Sequence, residues 1–161
     1  MQKQKKEKEG KMKKVLVSAC LYGDKCRYDA KDVSFDDPTF LKWKAEGRLV
    51  KICPEICGGL KTPRPDSQIR GEKVLARTGQ DVTEEYEKGA EETVCLAEEN
   101  QVACCIMKQR SPSCGSKIIY DGTFTGGKIK GEGITVRKLR EAGFKVFGEE
   151  DMEEAISFVG E

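Results

Sequence analysis

The sequence predicts an α/β fold: one domain built on a Rossmann-like, mostly parallel sheet with helices on both faces and a small β-hairpin insertion. Three observations predict it. The chain has 161 residues, enough for one buried core and no obvious second. Short apolar runs alternate with segments of helical period, the pattern of strands and helices wound into one sheet. One of those runs, VACCIMK at 102–108, is apolar without a break up to Lys108. Strands covered on both faces read that way. No internal repeat interrupts the pattern.

The elements follow in order. KVLVSA at 14–19 is an apolar run ending in small residues, and reads as a buried strand. DPTFLKWKAEG at 37–47 has Asp before Pro and Gly at its end, the marks of a short helix. LVKIC at 49–53 is a second strand, followed by a Gly- and Pro-rich loop from 54 to 65. Residues 72–77 read as one strand of a small hairpin. The clearest helix runs from 81 to 101, with Asp81 and Glu84 in the form of a capping box. Val82, Tyr86, Ala90, Val94 and Ala97 give it an apolar stripe. The run at 102–108 is the third and central strand. Asp121-Gly122 lies between two β-prone runs at 118–125, a hairpin signal. A helix at 134–142 closes on Gly143. FKVF at 144–147 is the fourth strand, and 151–159 the last helix.

Composition narrows the chemistry. There is no histidine, so Ser-His-Asp and Cys-His catalysis and Cys₂His₂ zinc sites are excluded. Lys and Arg total 29 against 28 Asp and Glu, but seven Lys and two Glu fall in residues 1–14. The remainder carries 22 basic against 26 acidic residues, an acidic body that speaks against a stable nucleic-acid partner. Residues 1–13 (MQKQKKEKEGKMK) read as a disordered basic tail, leaving 14–161 as the domain. The tail has no apolar export core behind it, and no apolar stretch approaches a membrane span. A cytoplasmic protein with no membrane partner is expected, its eight cysteines reduced or bound to metal.

Three cysteines fall at equivalent places. Cys20 follows the first strand, Cys53 closes the second, and Cys114 lies in the loop after the third. In an open α/β sheet, sites form outside the carboxyl ends of the strands. A parallel sheet therefore carries all three thiols to one edge, with Gly, Pro or Ala beside each. Soft thiolates without histidine suit an iron–sulfur cluster or zinc, and three ligands leave one metal position open. Cys95, Cys104 and Cys105 read instead as small buried residues, the last two pointing to opposite faces of a strand. Cys26 and Cys57 stay ambiguous.

The motifs together resemble the thiouracil desulfidase family. The segments are VSACLYGDKCRYDA (17–30), CPEICGGLKTPRP (53–65), GQDVTEEYEKGAE (79–91), KQRSPSCGSKIIYDGTF (108–124) and GEGITVRKLREAGFKVF (131–147). The resemblance implies a [4Fe–4S] cluster held by Cys20, Cys53 and Cys114, with one iron free of protein ligands. It implies removal of sulfur from a small thionated pyrimidine, such as 2-thiouracil to uracil plus sulfide, without net redox change. It implies Glu55, in C-P-E, as acid/base and Ser111, the first serine of S-P-S-C, as the second catalytic residue. Transient contact with iron–sulfur assembly machinery goes with such a cofactor. The sequence departs from the family at Ala30, at Asp66-Ser67-Gln68 in place of the more usual P-x-E, and at the extra thiol Cys57, which leaves substrate choice open.

The residues agree with that chemistry. A thiocarbonyl sulfur is soft and suits an open iron as Lewis acid. Without histidine, a carboxylate is the natural group to deprotonate water, and a partly desolvated Glu55 can serve. Arg27, Arg64 and Arg110 flank the motifs as substrate ligands or as salt-bridge partners. The alternative function is a non-catalytic metal or sulfur carrier. A thiol redox pair such as Cys53 and Cys57, and a purely structural α/β domain, are further rivals.

Overall fold

The computed structural model describes residues 12–31, 33 and 35–160. The expected tail therefore lies almost wholly outside the described residues. Lys13, at its inner end, is tied to the body: its ammonium donates to the Val159 carbonyl at 3.0 Å.

Four strands form the central sheet: β1 (Val15–Ser18), β2 (Leu49–Ile52), β5 (Cys104–Met107) and β8 (Val146–Gly148). They stand in the order β2-β1-β5-β8, and every pairing is parallel. From β1 the chain steps to one side to make β2, then crosses to the other side to make β5. The direction of winding thus reverses between β1 and β5, and a crevice opens outside their carboxyl ends.

Helices cover both faces, as expected. On one face α2 (Pro38–Ala45) and α6 (Met152–Val159) bring Phe40, Trp43, Ala155 and Val159 onto Val15, Val17, Cys104 and Ile106. On the other, α4 (Thr83–Asn100) and α5 (Ile134–Glu141) bring Ala97, Val136 and Leu139 onto Leu16, Cys105 and Met107. Alternation along β5 therefore sends Cys104 and Cys105 to opposite cores, as the sequence predicts. Cys95 corrects its expectation: it is exposed, because the buried stripe of α4 passes through Thr93 and Ala97 instead.

Several local elements differ from expectation. The helix at 37 starts as predicted, Asp37 accepting from the Phe40 amide at 3.0 Å ahead of Pro38. The Asp81–Glu84 capping box does not form. Asp81 instead accepts from the Thr83 amide and hydroxyl at 3.0 and 2.6 Å, and the helix begins at Thr83. Asp121-Gly122 is not a two-residue hairpin turn. β6 (Ile118–Tyr120) pairs with β7 (Lys128–Lys130) across a longer loop, in which Asp121 caps Thr123. A second hairpin joins β3 (Ser67–Arg70) to β4 (Lys73–Ala76). Sequence reading found only its second strand, because Ser67-Gln68 lacks strand-forming side chains.

Two single-turn helices start where strands end: α1 (Ala19–Tyr22) after β1 and α3 (Pro54–Cys57) after β2. α3 lies backbone to backbone against α4. A Cβ on Gly89 would stand 1.8 Å from the Pro54 carbonyl oxygen, and one on Gly58 would stand 1.9 Å from that of Glu85. Glycine at both positions is what lets the turn carrying Glu55 sit so close to the long helix.

Candidate active site

A cavity of about 340 Å³ opens at the carboxyl ends of β1, β2 and β5. Cys20, Cys53, Cys114, Glu55 and Ser111 all line it. The three cysteines arrive from three segments. Cys20 is in the turn of α1 and Cys53 is the residue preceding α3. Cys114 sits in the 111–115 loop, which is braced by the start of α5 through bonds from Gly133, Ile134 and Thr135 amides to the carbonyls of Gly115, Pro112 and Ser113. The buried Gln109 side chain holds the far end of that loop, accepting from the Ser116 and Lys117 amides at 3.3 Å.

The thiols feel one another. Burial pushes the Cys20 thiol up to about 12, Cys53 and Glu55 push the same way, and Lys108 opposes them. Cys114 is also driven up, first by burial, with Glu55, Cys20 and Cys53 adding to it and a Ser18 hydrogen bond working against it. Cys53 moves the other way. A hydrogen bond from the Cys26 thiol, and Arg64 nearby, lower it despite burial. Among the described residues, no three His, Cys, Asp or Glu side chains stand close enough to share one metal ion. A cluster makes a different demand, since each thiolate binds a different iron and the ligands surround a group instead of an atom. Three soft donors spread around one cavity wall, with no histidine in the chain, fit that demand.

Glu55 is held on two sides. Its Oε2 accepts from Arg64 Nη2 at 2.7 Å and from the Tyr86 hydroxyl at 3.1 Å. The Arg64 side chain is 8% exposed and also donates to the Cys26 carbonyl at 3.1 Å. Burial tends to lower the guanidinium's pKa, but the Glu55 carboxylate outweighs it and raises it. Ser111 Oγ accepts from the Ser113 and Cys114 amides at 3.1 and 3.0 Å. It therefore shapes the cysteine loop while keeping its own proton to donate.

The sequence of the 2-thiouracil desulfurase family matches this chain over residues 15–151. This chain belongs to that family. A Bacillus subtilis (strain 168) protein described as uncharacterized, YbbK, is 38% identical over 152 residues, spanning 88% of this chain and 99% of its own. The solved structure of a [4Fe-4S]-dependent thiouracil desulfidase, TudS, superposes with a TM-score of 0.88 at 41% identity, covering 90% of this chain and 97% of that one.

Within this member of the 2-thiouracil desulfurase family, the flanking arginines are salt-bridge partners at the cavity edge. Arg27, Arg64 and Arg110 all line the cavity, and each has an acidic partner: Asp29 at 3.9 Å, Glu55, and Glu150 at 3.4 Å. Cys57 does not line the cavity; its thiol donates to Glu92 on α4. Cys26 does line it, in contact with Cys53. Sequence reading missed Tyr86 and Lys108, and marked Gln68 only as a departure from the family pattern. Tyr86 read as one more apolar member of a helical stripe, and nothing in its spacing marks a hydroxyl aimed at Glu55.

Proposed function

We propose that this protein is a non-redox desulfidase that converts thionated pyrimidines of the 2-thiouracil type to the oxo compound plus sulfide, using a [4Fe–4S] cluster held by Cys20, Cys53 and Cys114. The observation that carries this is the convergence of three cysteines, from the ends of three adjacent parallel strands, on the cavity that also holds Glu55 and Ser111. Family membership and the likeness to TudS support it. When bound, the cluster supplies a soft Lewis acid for the thiocarbonyl sulfur.

The chain's own residues do the remaining work. Glu55 takes a proton from the water that attacks the thiocarbonyl carbon. Arg64 and Tyr86 fix the carboxylate's direction, so its basic oxygen is positioned before substrate arrives. Ser111 donates a hydrogen bond to the substrate, and the proton taken up by Glu55 is passed on to the leaving sulfur. Overall the C=S bond is exchanged for C=O: water provides the oxygen and both protons of hydrogen sulfide, and no electrons are exchanged with an outside partner.

The test is anaerobic reconstitution followed by mixing with 2-thiouracil. The expected result is a brown protein with a broad band near 400 nm, about the absorbance a protein-bound cluster gives, and stoichiometric uracil and sulfide. Glu55→Gln should keep iron and lose turnover by about 10²-fold or more. A reconstituted protein that leaves 2-thiouracil intact would overturn the activity. Full turnover in Glu55→Gln would remove Glu55 from the mechanism.

A further inference from the structure

The residue that closes β1 is a serine, and it reaches one of the cavity cysteines from behind. Ser18 is 2% exposed and lines the cavity. Its Oγ is held by the main chain: it accepts from the Lys108 amide at 2.9 Å, just beyond β5. That bond turns the hydroxyl proton away from Lys108 and toward sulfur. Met107 Sδ lies 3.8 Å from Oγ, and the Cys114 thiol is a second partner of the same hydroxyl. Met107 and Cys114 pack in one core cluster, both buried. A single proton therefore has two sulfurs to choose between.

The choice depends on the charge of Cys114. A neutral thiol and a thioether are both weak acceptors, and they compete on similar terms. A cysteine that binds iron does so as a thiolate. Hydrogen bonds to a charged acceptor are about twice as strong as neutral ones. A metal-bound Cys114 therefore draws the proton away from Met107. Such a bond withdraws electron density from the ligand sulfur, and bonds to ligand sulfurs are one of the levers by which a protein sets the electronics of an iron–sulfur group.

Resting on the ligand set of the desulfidase reading above, we propose that Ser18 is a positioning residue that acts through Cys114: its hydroxyl, anchored on the Lys108 amide, donates to the Cys114 thiolate and makes the metal group it binds a better acceptor of negative charge. That charge can be an electron or the electron pair of a soft sulfur, so one reduction measurement reports on the property the reaction uses.

The test is a redox titration and a resonance Raman spectrum of anaerobically reconstituted protein, with melting temperature and iron content as checks on folding and loading. Ser18→Ala should lower the reduction potential, because the reduced form carries more negative charge and loses more with the bond. The expected change is about tenfold in the reduction equilibrium, or about 59 mV for one electron. Iron–thiolate stretching bands should rise in frequency, since a thiolate freed of its hydrogen bond binds iron more strongly. Met107→Leu removes the competing thioether and keeps the hydroxyl, so it should leave both readouts near wild type. Ser18→Thr and Ser18→Val have nearly the same volume and differ in the hydroxyl: Thr should follow wild type and Val should follow Ala. Unchanged readouts in Ser18→Ala, or a shift of equal size in Met107→Leu, overturn the proposal. If Ser18→Ala folds but holds no iron, loading in Thr and not in Val upholds it, and equal loading in the two overturns it. Turnover separates it from the desulfidase reading. A loaded wild type that leaves 2-thiouracil intact refutes the activity, while the Ser18→Ala shift still upholds Ser18. An active wild type whose potential and spectrum survive Ser18→Ala refutes Ser18 alone, and a chain that takes up no iron refutes both.

Discussion

Replacing Gly89 by Ala tests whether the Glu55 carboxylate is held by the fit of two helices. Gly89 lies on α4 where α3 touches it, and Glu55 is the second residue of α3. The added Cβ would stand 1.8 Å from the Pro54 carbonyl oxygen and 2.7 Å from its carbon. Real Cβ contacts do not fall below 3.0 Å, so α3 and α4 must separate by at least about 1.2 Å, the 3.0 Å minimum less 1.8 Å. Backbone cannot rotate aside as a side chain can. Forcing a methyl into such a contact costs about 1–3 kcal/mol, and the better helix propensity of Ala returns about 1 kcal/mol. The net destabilisation is then about 1 kcal/mol, small enough to leave the protein folded. Function should suffer more. A displacement of about 1 Å in a positioned group can cost about 10²-fold, and this one moves Pro54 and Glu55 away from Tyr86 while disturbing Cys53 just before them. The assay pairs denaturant unfolding with kcat/KM on anaerobically reconstituted protein, using Glu87→Ala on the exposed face of the same helix as control. Activity of Gly89→Ala within about threefold of wild type would refute the idea that this close approach positions the site.

Other outcomes are expected of the same structure. Cys114→Ser should abolish iron retention, whereas Cys104→Ser, at a fully buried position in β5, should keep iron while losing about 1 kcal/mol of stability; elemental analysis and melting curves separate the two. Tyr86→Phe removes one of the two bonds restraining Glu55, and kcat should fall about tenfold with little change in KM. The Arg77 hydrogen bond, with its charge, holds the Asp66 carboxyl below its ordinary value. Asp66 therefore contributes stability that is fully present above the unfolded-chain pKa of about 3.9 and is lost as pH falls through the lower folded value. Asp66→Asn should be less stable than wild type at neutral pH, and the gap should shrink in strong acid, as read by denaturant titration. A gap of the same size at both pH values would count against the Asp66–Arg77 pair as its source.

Local signals served the sequence reading where the chain's period and its neighbours agreed. The helix at 37–47 was legible because Asp-Pro starts it and Gly47 follows its end. The alternation that splits Cys104 from Cys105 was legible because strand geometry admits no other outcome. The capping box at Asp81 was misleading because Asp81 satisfies Thr83 first, which moves the helix start by two residues. The 118–130 hairpin was half hidden because its second strand, Lys128–Lys130, is wholly exposed and carries no apolar alternation.

The sequence by itself determined the α/β class and the chemistry open to the chain. Eight cysteines without a histidine leave soft-metal and carboxylate chemistry, and three of those cysteines follow strands. Only the tertiary structure decided that β1 stands between β2 and β5, which puts Cys20 between Cys53 and Cys114 at the reversal of winding. It also decided that Arg64, Tyr86 and Gln68 join them on one cavity. The reason is physical: strand order and side-chain convergence are set by long-range packing of both sheet faces, whereas periodicity and turn residues report only on neighbours a few positions away along the chain.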